Sequence, residues 1–115
     1  MSKLNILREL SILSMKVFQY SALFPKYEQY GLRSQLLRAM ISVRLNIREG
    51  NTFYGDNKKR FFKIALGSLE EVDECMLIAK EWKYIEEVMY DNFKKQYWYC
   101  LNMLKKLISS KSSTK

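Results

Sequence analysis

Residues 30–50 read YGLRSQLLRAMISVRLNIREG, and this stretch decides the fold class. At about 100° per residue, Leu32, Leu36, Met40, Val43 and Ile47 fall in one apolar stripe. Leu37, Ile41 and Leu45 form a second stripe, displaced from the first. Arg33, Arg44 and Arg48 lie between the two stripes within an arc of about 60°. Gln35, Arg38, Ser42, Asn46 and Glu49 lie opposite. A surface helix needs one apolar face for its own core. Two faces predict that one packs inside the subunit and the other meets a second subunit. Gly50 is placed to end this helix, over 30–49, in the left-handed conformation that glycine tolerates.

Three more helices flank it. On the N-terminal side, Ile6, Leu10, Leu13, Val17 and Tyr20 recur at helical steps and predict a helix over about 3–23. Ser2 is its expected N-cap and Pro25 its stop. On the C-terminal side, a loop containing Gly55 leads to a helix over about 57–82, capped by Asp56 or Asn57. Its seam is Phe61, Ala65, Leu69, Val72, Met76 and Ala79. After a break at 83–86, Tyr90, Phe93, Tyr97, Leu101, Leu104 and Ile108 predict a fourth helix over 86–109. The polar tail 110–115 is expected to be disordered. One proline and four glycines in 115 residues leave few breakers. Residues 1–109 therefore form one expected domain: an all-α, antiparallel up-down-up-down four-helix bundle.

Composition narrows the chemistry. With no histidine, the commonest zinc ligand and the commonest general base are both missing. No nucleophile elbow or phosphate-binding glycine loop is present. The expectation is no enzyme, no catalytic residue, no metal and no cofactor. Glu70, Glu71, Asp73 and Glu74 lack the Glu-x-x-His partners of bundle di-iron sites and read as a solvated or ion-pairing acidic face. Cys75 and Cys100 are either two buried thiols or a bridge between neighbouring helices. Without an apolar leader or a membrane-length apolar run, a cytoplasmic location is expected.

The net charge of +8 is unevenly placed. Residues 1–69 carry twelve basic and four acidic residues, 70–91 two and eight, and 92–115 six and none. Such a dipolar pattern suits a polyanion on one surface, or one subunit's acids against another's bases. Arg33, Arg44 and Arg48, with Lys58, Lys59, Arg60 and Lys63 on the first turns of the third helix, are either the candidate phosphate contacts or a solvated face that serves solubility. Phe53 and Tyr54 lie between the two groups and are either stacking platforms or core. In Tyr97-Trp98-Tyr99 only one ring can follow the core stripe, which leaves the others at the bundle edge or at an interface.

Several polar positions carry a resemblance. Phe24-Pro25-Lys26-Tyr27-Glu28 precedes Tyr30-Gly31-Leu32-Arg33-Ser34-Gln35-Leu36-Leu37-Arg38-Ala39. Ser42-Val43-Arg44-Leu45-Asn46-Ile47-Arg48-Glu49-Gly50 and Ile64-Ala65-Leu66-Gly67-Ser68-Leu69-Glu70-Glu71 follow. Over about residues 20–108 the chain resembles the bacterial four-helix-bundle proteins encoded in intervening sequences of 23S ribosomal RNA genes. The resemblance implies a homopentameric ring. It also implies kinship with the accessory variability protein of diversity-generating retroelements, which binds nucleic acid and a reverse transcriptase. It makes Arg38, Asn46, Glu49, Gly50, Ser68 and Glu71 polar core or interface residues. Arg44 and Arg48 depart from the family pattern and add positive charge to the second helix. The expected partners are further copies of the chain and nucleic acid, RNA before DNA. The alternatives are an adaptor for a reverse transcriptase, built on Glu70–Glu74 and Tyr97–Tyr99, and a structural oligomer without ligand.

Overall fold

The computed structural model describes residues 5–110. Four helices carry the described residues: α1 (Ile6–Ser21), α2 (Leu32–Gly50), α3 (Gly55–Glu81) and α4 (Glu87–Ser109). A single 3₁₀ turn, Lys26–Glu28, lies between α1 and α2. No strand occurs among the described residues. Each helix packs against its neighbours in the cycle α1–α2–α3–α4–α1, with no diagonal pair in contact. Cross-helix hydrogen bonds run antiparallel: Arg44 to Ser14 and Arg33 to Ser21, and Gln96 to Glu9 and Asn92 to Tyr20. The result is an elongated four-helix bundle, 48 × 27 × 18 Å.

The stripes expected from periodicity form the core. Leu10, Leu13, Val17, Leu36, Val43, Ile47, Leu69, Val72, Phe93 and Leu104 are fully buried. Each such side chain contributes about 1.5–3 kcal/mol relative to exposure. One seam residue is shifted. Phe62, not Phe61, enters the core. Phe61 instead stacks on Phe53, centroids 5.3 Å apart, beneath the Arg60 guanidinium.

Helix ends differ from expectation in ways local chemistry explains. The expected Ser2 cap lies outside the described residues; α1 is capped by Asn5, whose side chain accepts the Arg8 N–H at 3.2 Å. At the start of α2 the Glu28 carboxylate reaches forward to accept the Leu32 N–H at 2.8 Å. Neither Asp56 nor Asn57 caps α3, which begins earlier, at Gly55. Gly55 has φ 61°, a left-handed value that suits glycine. Gly50 does not terminate α2 in that conformation; it is the last helical residue and is buried. A Cβ there would meet the Phe62 ring at 2.8 Å and Phe61 Cβ at 3.1 Å. The glycine is therefore needed for close approach of α2 to α3.

α2 and α3 are the most closely packed pair, and α1 and α2 the least among neighbours. Small residues explain the first: Ala39, Ala65 and Gly50 are buried, and the Ser42 and Ser68 hydroxyls touch at 2.8 Å. The looser α1–α2 contact leaves a groove of about 450 Å³, lined largely by Met15, Phe18, Leu37, Met40 and Ile41. This places the second apolar stripe of α2. Leu37 is half-buried, while Ile41 and Leu45 remain 55% and 63% exposed, too open to belong to this subunit's core.

Candidate nucleic-acid interface

The antiparallel topology gathers four helix termini at each end of the bundle. One end holds the start of α1, the end of α2, the start of α3 and the end of α4. The half of the bundle toward this end, residues 6–13, 44–66 and 97–110, carries nine basic and three acidic residues. The other half, 14–43 and 67–96, carries eight basic and nine acidic. The charge asymmetry along the sequence thus becomes an asymmetry along the long axis.

The seven sequence-chosen cations are divided by this arrangement. Arg48, Lys58, Lys59, Arg60 and Lys63 come together at the basic end, with Arg44 further up α2. Arg33 lies roughly 25 Å away along α2, at 1.5 Å per residue. It is also engaged internally: its Nε donates to the buried Ser21 hydroxyl at 3.0 Å, and its guanidinium lies 5.1 Å from the centre of the Phe18 ring. Arg44 donates to Ser14 at 2.8 Å and faces α1. The opposite flank of α2 faces α3, through Gln35 to Glu71 and Ser42 to Ser68. Lys59 and Lys63 lie roughly 130° round α3 from that shared edge. The cations therefore surround the end of the bundle and do not line one groove.

Two cations that belong with this group, Lys105 and Lys106, lie in the last turns of α4 and are exposed. In the sequence they count only toward the positive charge of 92–115. The signal was topological: in an up-down bundle the end of the fourth helix must adjoin the start of the third.

Among the described residues the one ion pair is Lys94–Asp73, at 3.0 Å. None of the cations of the basic end is ion-paired among the described residues. Lys58 lies 5.6 Å from the centre of the Phe62 ring and Arg60 4.6 Å from that of Phe61, so aromatic faces steady two of the cations without cancelling their charge. Of the two loop aromatics, Phe53 is used in packing, while Tyr54 is 74% exposed.

The acidic stretch is partly spent inside the fold. Asp73 accepts from Tyr90 at 2.8 Å as well as from Lys94, and Glu71 accepts from Gln35 at 3.2 Å. Glu70 and Glu74 are exposed. Tyr97 enters the core, and Trp98 and Tyr99 are each 49% exposed. Of the polar positions implied by resemblance, Ser68, Glu71, Asn46 and Gly50 lie at the α2–α3 contact, where Asn46 donates to Ser42 O at 2.9 Å. Arg38 and Glu49 are exposed.

Both cysteines are free and buried. Burial, reinforced by Glu71 and Glu74, pushes the Cys75 thiol up to about 11. Burial, with Glu9 nearby, pushes Cys100 up to about 12 against a bond from Gln96. Neither is activated as a nucleophile. No helix among the described residues is long and apolar enough to cross a membrane.

A family model described as 23S rRNA-intervening sequence protein matches residues 2–106. Among solved structures, the chain is similar to the crystal structure of a protein with unknown function from the S23 ribosomal protein family of Bacteroides thetaiotaomicron VPI-5482. The two share 18% sequence identity and superpose with a TM-score of 0.81, over 92% of this chain and 100% of that one. At that identity the likeness shows the fold. No curated protein matches the chain.

Proposed function

Since the chain belongs to the family of 23S rRNA-intervening sequence proteins, we propose that it is a non-enzymatic, nucleic-acid-binding bundle that prefers RNA to DNA. The observation that carries this reading is the basic end: nine cations against three acids in that half, none ion-paired among the described residues. Lysine and arginine neutralise phosphates and release counterions, which gives affinity with little sequence preference. Arg48, Lys58, Lys59, Arg60 and Lys63 supply the contacts, joined by Lys105 and Lys106. The bundle acts as a homo-oligomer, a pentameric ring being the form the family resemblance implies. The open α1–α2 groove, with Ile41 and Leu45 on its rim, is the apolar surface available for assembly.

Fluorescence anisotropy with a labelled structured RNA and a duplex DNA, between about 50 and about 200 mM salt, tests the reading. Tight binding with a steep salt dependence is expected. Lys59→Glu with Lys63→Glu should weaken binding and flatten the salt slope by about one unit per lost phosphate contact. Lys80→Glu with Lys83→Glu, at the far end, should leave both nearly unchanged. Absence of binding at low salt, or equal loss in both variants, would remove the basic end from function.

A further inference from the structure

A second groove, of about 420 Å³, runs between α1 and α4 and differs in chemistry from the apolar one. Its lining is Lys16 from α1 with Asn92, Lys95, Gln96, Tyr99 and Asn102 from α4. The nearest carboxylate bonded to its lining is that of Glu9, held behind Gln96. The five α4 residues occupy one face because their spacing of three and four follows the helical repeat. Asn92 donates to the Tyr20 hydroxyl at 2.9 Å, and Gln96 donates to the Glu9 carboxylate at 2.9 Å and to Glu9 O at 3.0 Å. These bonds fix both amide groups and leave their oxygens as acceptors. Tyr99, at the centre of the stripe, keeps half of its surface exposed although the core needs none of it. Lys106 continues the stripe toward the basic end, roughly two turns or about 10 Å beyond Tyr99.

We propose that this groove binds unpaired RNA, with a base stacked on the Tyr99 ring and Lys16 and Lys95 on the adjoining phosphates. The proposal rests on the nucleic-acid reading above and adds the class of RNA that the molecule recognises. Amide side chains donate and accept as base edges do, and aromatic faces stack on any base that is not paired. A duplex does not present base faces. The duplex therefore engages the basic end alone, whereas a single strand leaving that end can follow α4 along the Lys106–Tyr99–Lys95 line. The α1–α2 groove is lined mainly by methionine, leucine, isoleucine and phenylalanine, and its two polar side chains, Ser14 and Arg44, are bonded to each other.

The test compares a labelled unstructured RNA of about 12 nucleotides with the duplex formed by the same strand. Tyr99→Ala should weaken single-strand binding about 10-fold and leave duplex binding and the salt slope unchanged. Tyr99→Phe, which keeps the ring, should bind the single strand as the parent does. If Tyr99→Ala binds the single strand normally while Lys59→Glu with Lys63→Glu loses affinity, the groove proposal falls and the basic end stands. Equal losses on both RNAs would also overturn the groove. A change in the mass of Tyr99→Ala by sedimentation would show Tyr99 to be a subunit contact and likewise overturn it. If the parent protein binds neither RNA, both readings fall together.

Discussion

Glu28 and Tyr84, 56 positions apart, are joined by a 2.7 Å hydrogen bond from the tyrosine hydroxyl to the carboxylate. The other carboxylate oxygen accepts the Leu32 N–H and caps α2. One side chain thus ties the segment entering α2 to the turn between α3 and α4. The Leu32 bond, and after it the Tyr84 bond, hold the Glu28 carboxyl below the usual glutamate range, against a smaller opposing effect of burial. The charged form is the one these bonds favour. Its contribution is complete above the ordinary value of 4.5 and is lost as pH falls through the lower folded value. The Leu32 amide resonance should therefore titrate with a midpoint below 4.5. A midpoint at or above that value would contradict the cap, as would an unshifted Leu32 resonance in Glu28→Gln.

Lys83 has φ 64°, the left-handed conformation at which a side chain is strained. It occupies the position after α3 where glycine is preferred: its N–H bonds to Lys80 O and the Tyr84 N–H bonds to Ala79 O. Lys83→Gly should stabilise the fold by about 0.5–1 kcal/mol, relief of strain exceeding the added freedom of the unfolded chain. Thermal denaturation should show a rise of a few degrees, and a fall would refute the strain.

Gly50 has the opposite sensitivity. Gly50→Ala adds a methyl group against Phe62 and Phe61, closer than side chains sit. A destabilisation of about 1–3 kcal/mol is expected in urea titration. Phe62→Leu in the same chain should recover part of it by vacating the contact, and a strictly additive loss would argue against that contact.

The thiols should report unfolding. With Cys75 raised to about 11 and Cys100 to about 12, both remain protonated at neutral pH, and both are buried. Alkylation of the native protein should proceed only as fast as the chain opens. A rapid phase of labelling without denaturant would disprove that inertness.

The assembly proposed for the chain has its own check. Ile41→Glu with Leu45→Glu places charge on the exposed stripe of α2, so sedimentation should give a monomer of unchanged helicity. An intact oligomer would move the interface elsewhere.

How much of this was legible in the sequence follows from the range of each interaction. The stripes Leu10–Leu13–Val17, Leu36–Met40–Val43–Ile47 and Phe93–Tyr97–Leu101–Leu104 were readable because helical periodicity is local and repeats over several turns. So was the exposure of Ile41 and Leu45. Phe61 and Phe62 were not separable, since adjacent aromatics differ by about 100° and the choice between them depends on Phe53 across the loop. Gly50 looks like a helix terminator to any local rule, and only the approach of α3 shows that its missing side chain is what matters. Among the cations, Arg33 shares a helical angle with Arg44 and Arg48 but not their height along the axis, which periodicity alone does not display. Lys105 and Lys106 needed the topology before they could join their neighbours.

The basic end has one further consequence. Opposing helices cancel one another's macrodipoles, yet the ionised side chains are segregated along a 48 Å axis. The described bundle is therefore electrically lopsided, its charge asymmetry built from side chains alone. If the proposed polyanion partner is met, its field exerts a torque before contact and turns the basic pole toward it. Under that proposal encounter is a search over fewer orientations, and added salt should slow the approach as well as loosen the complex.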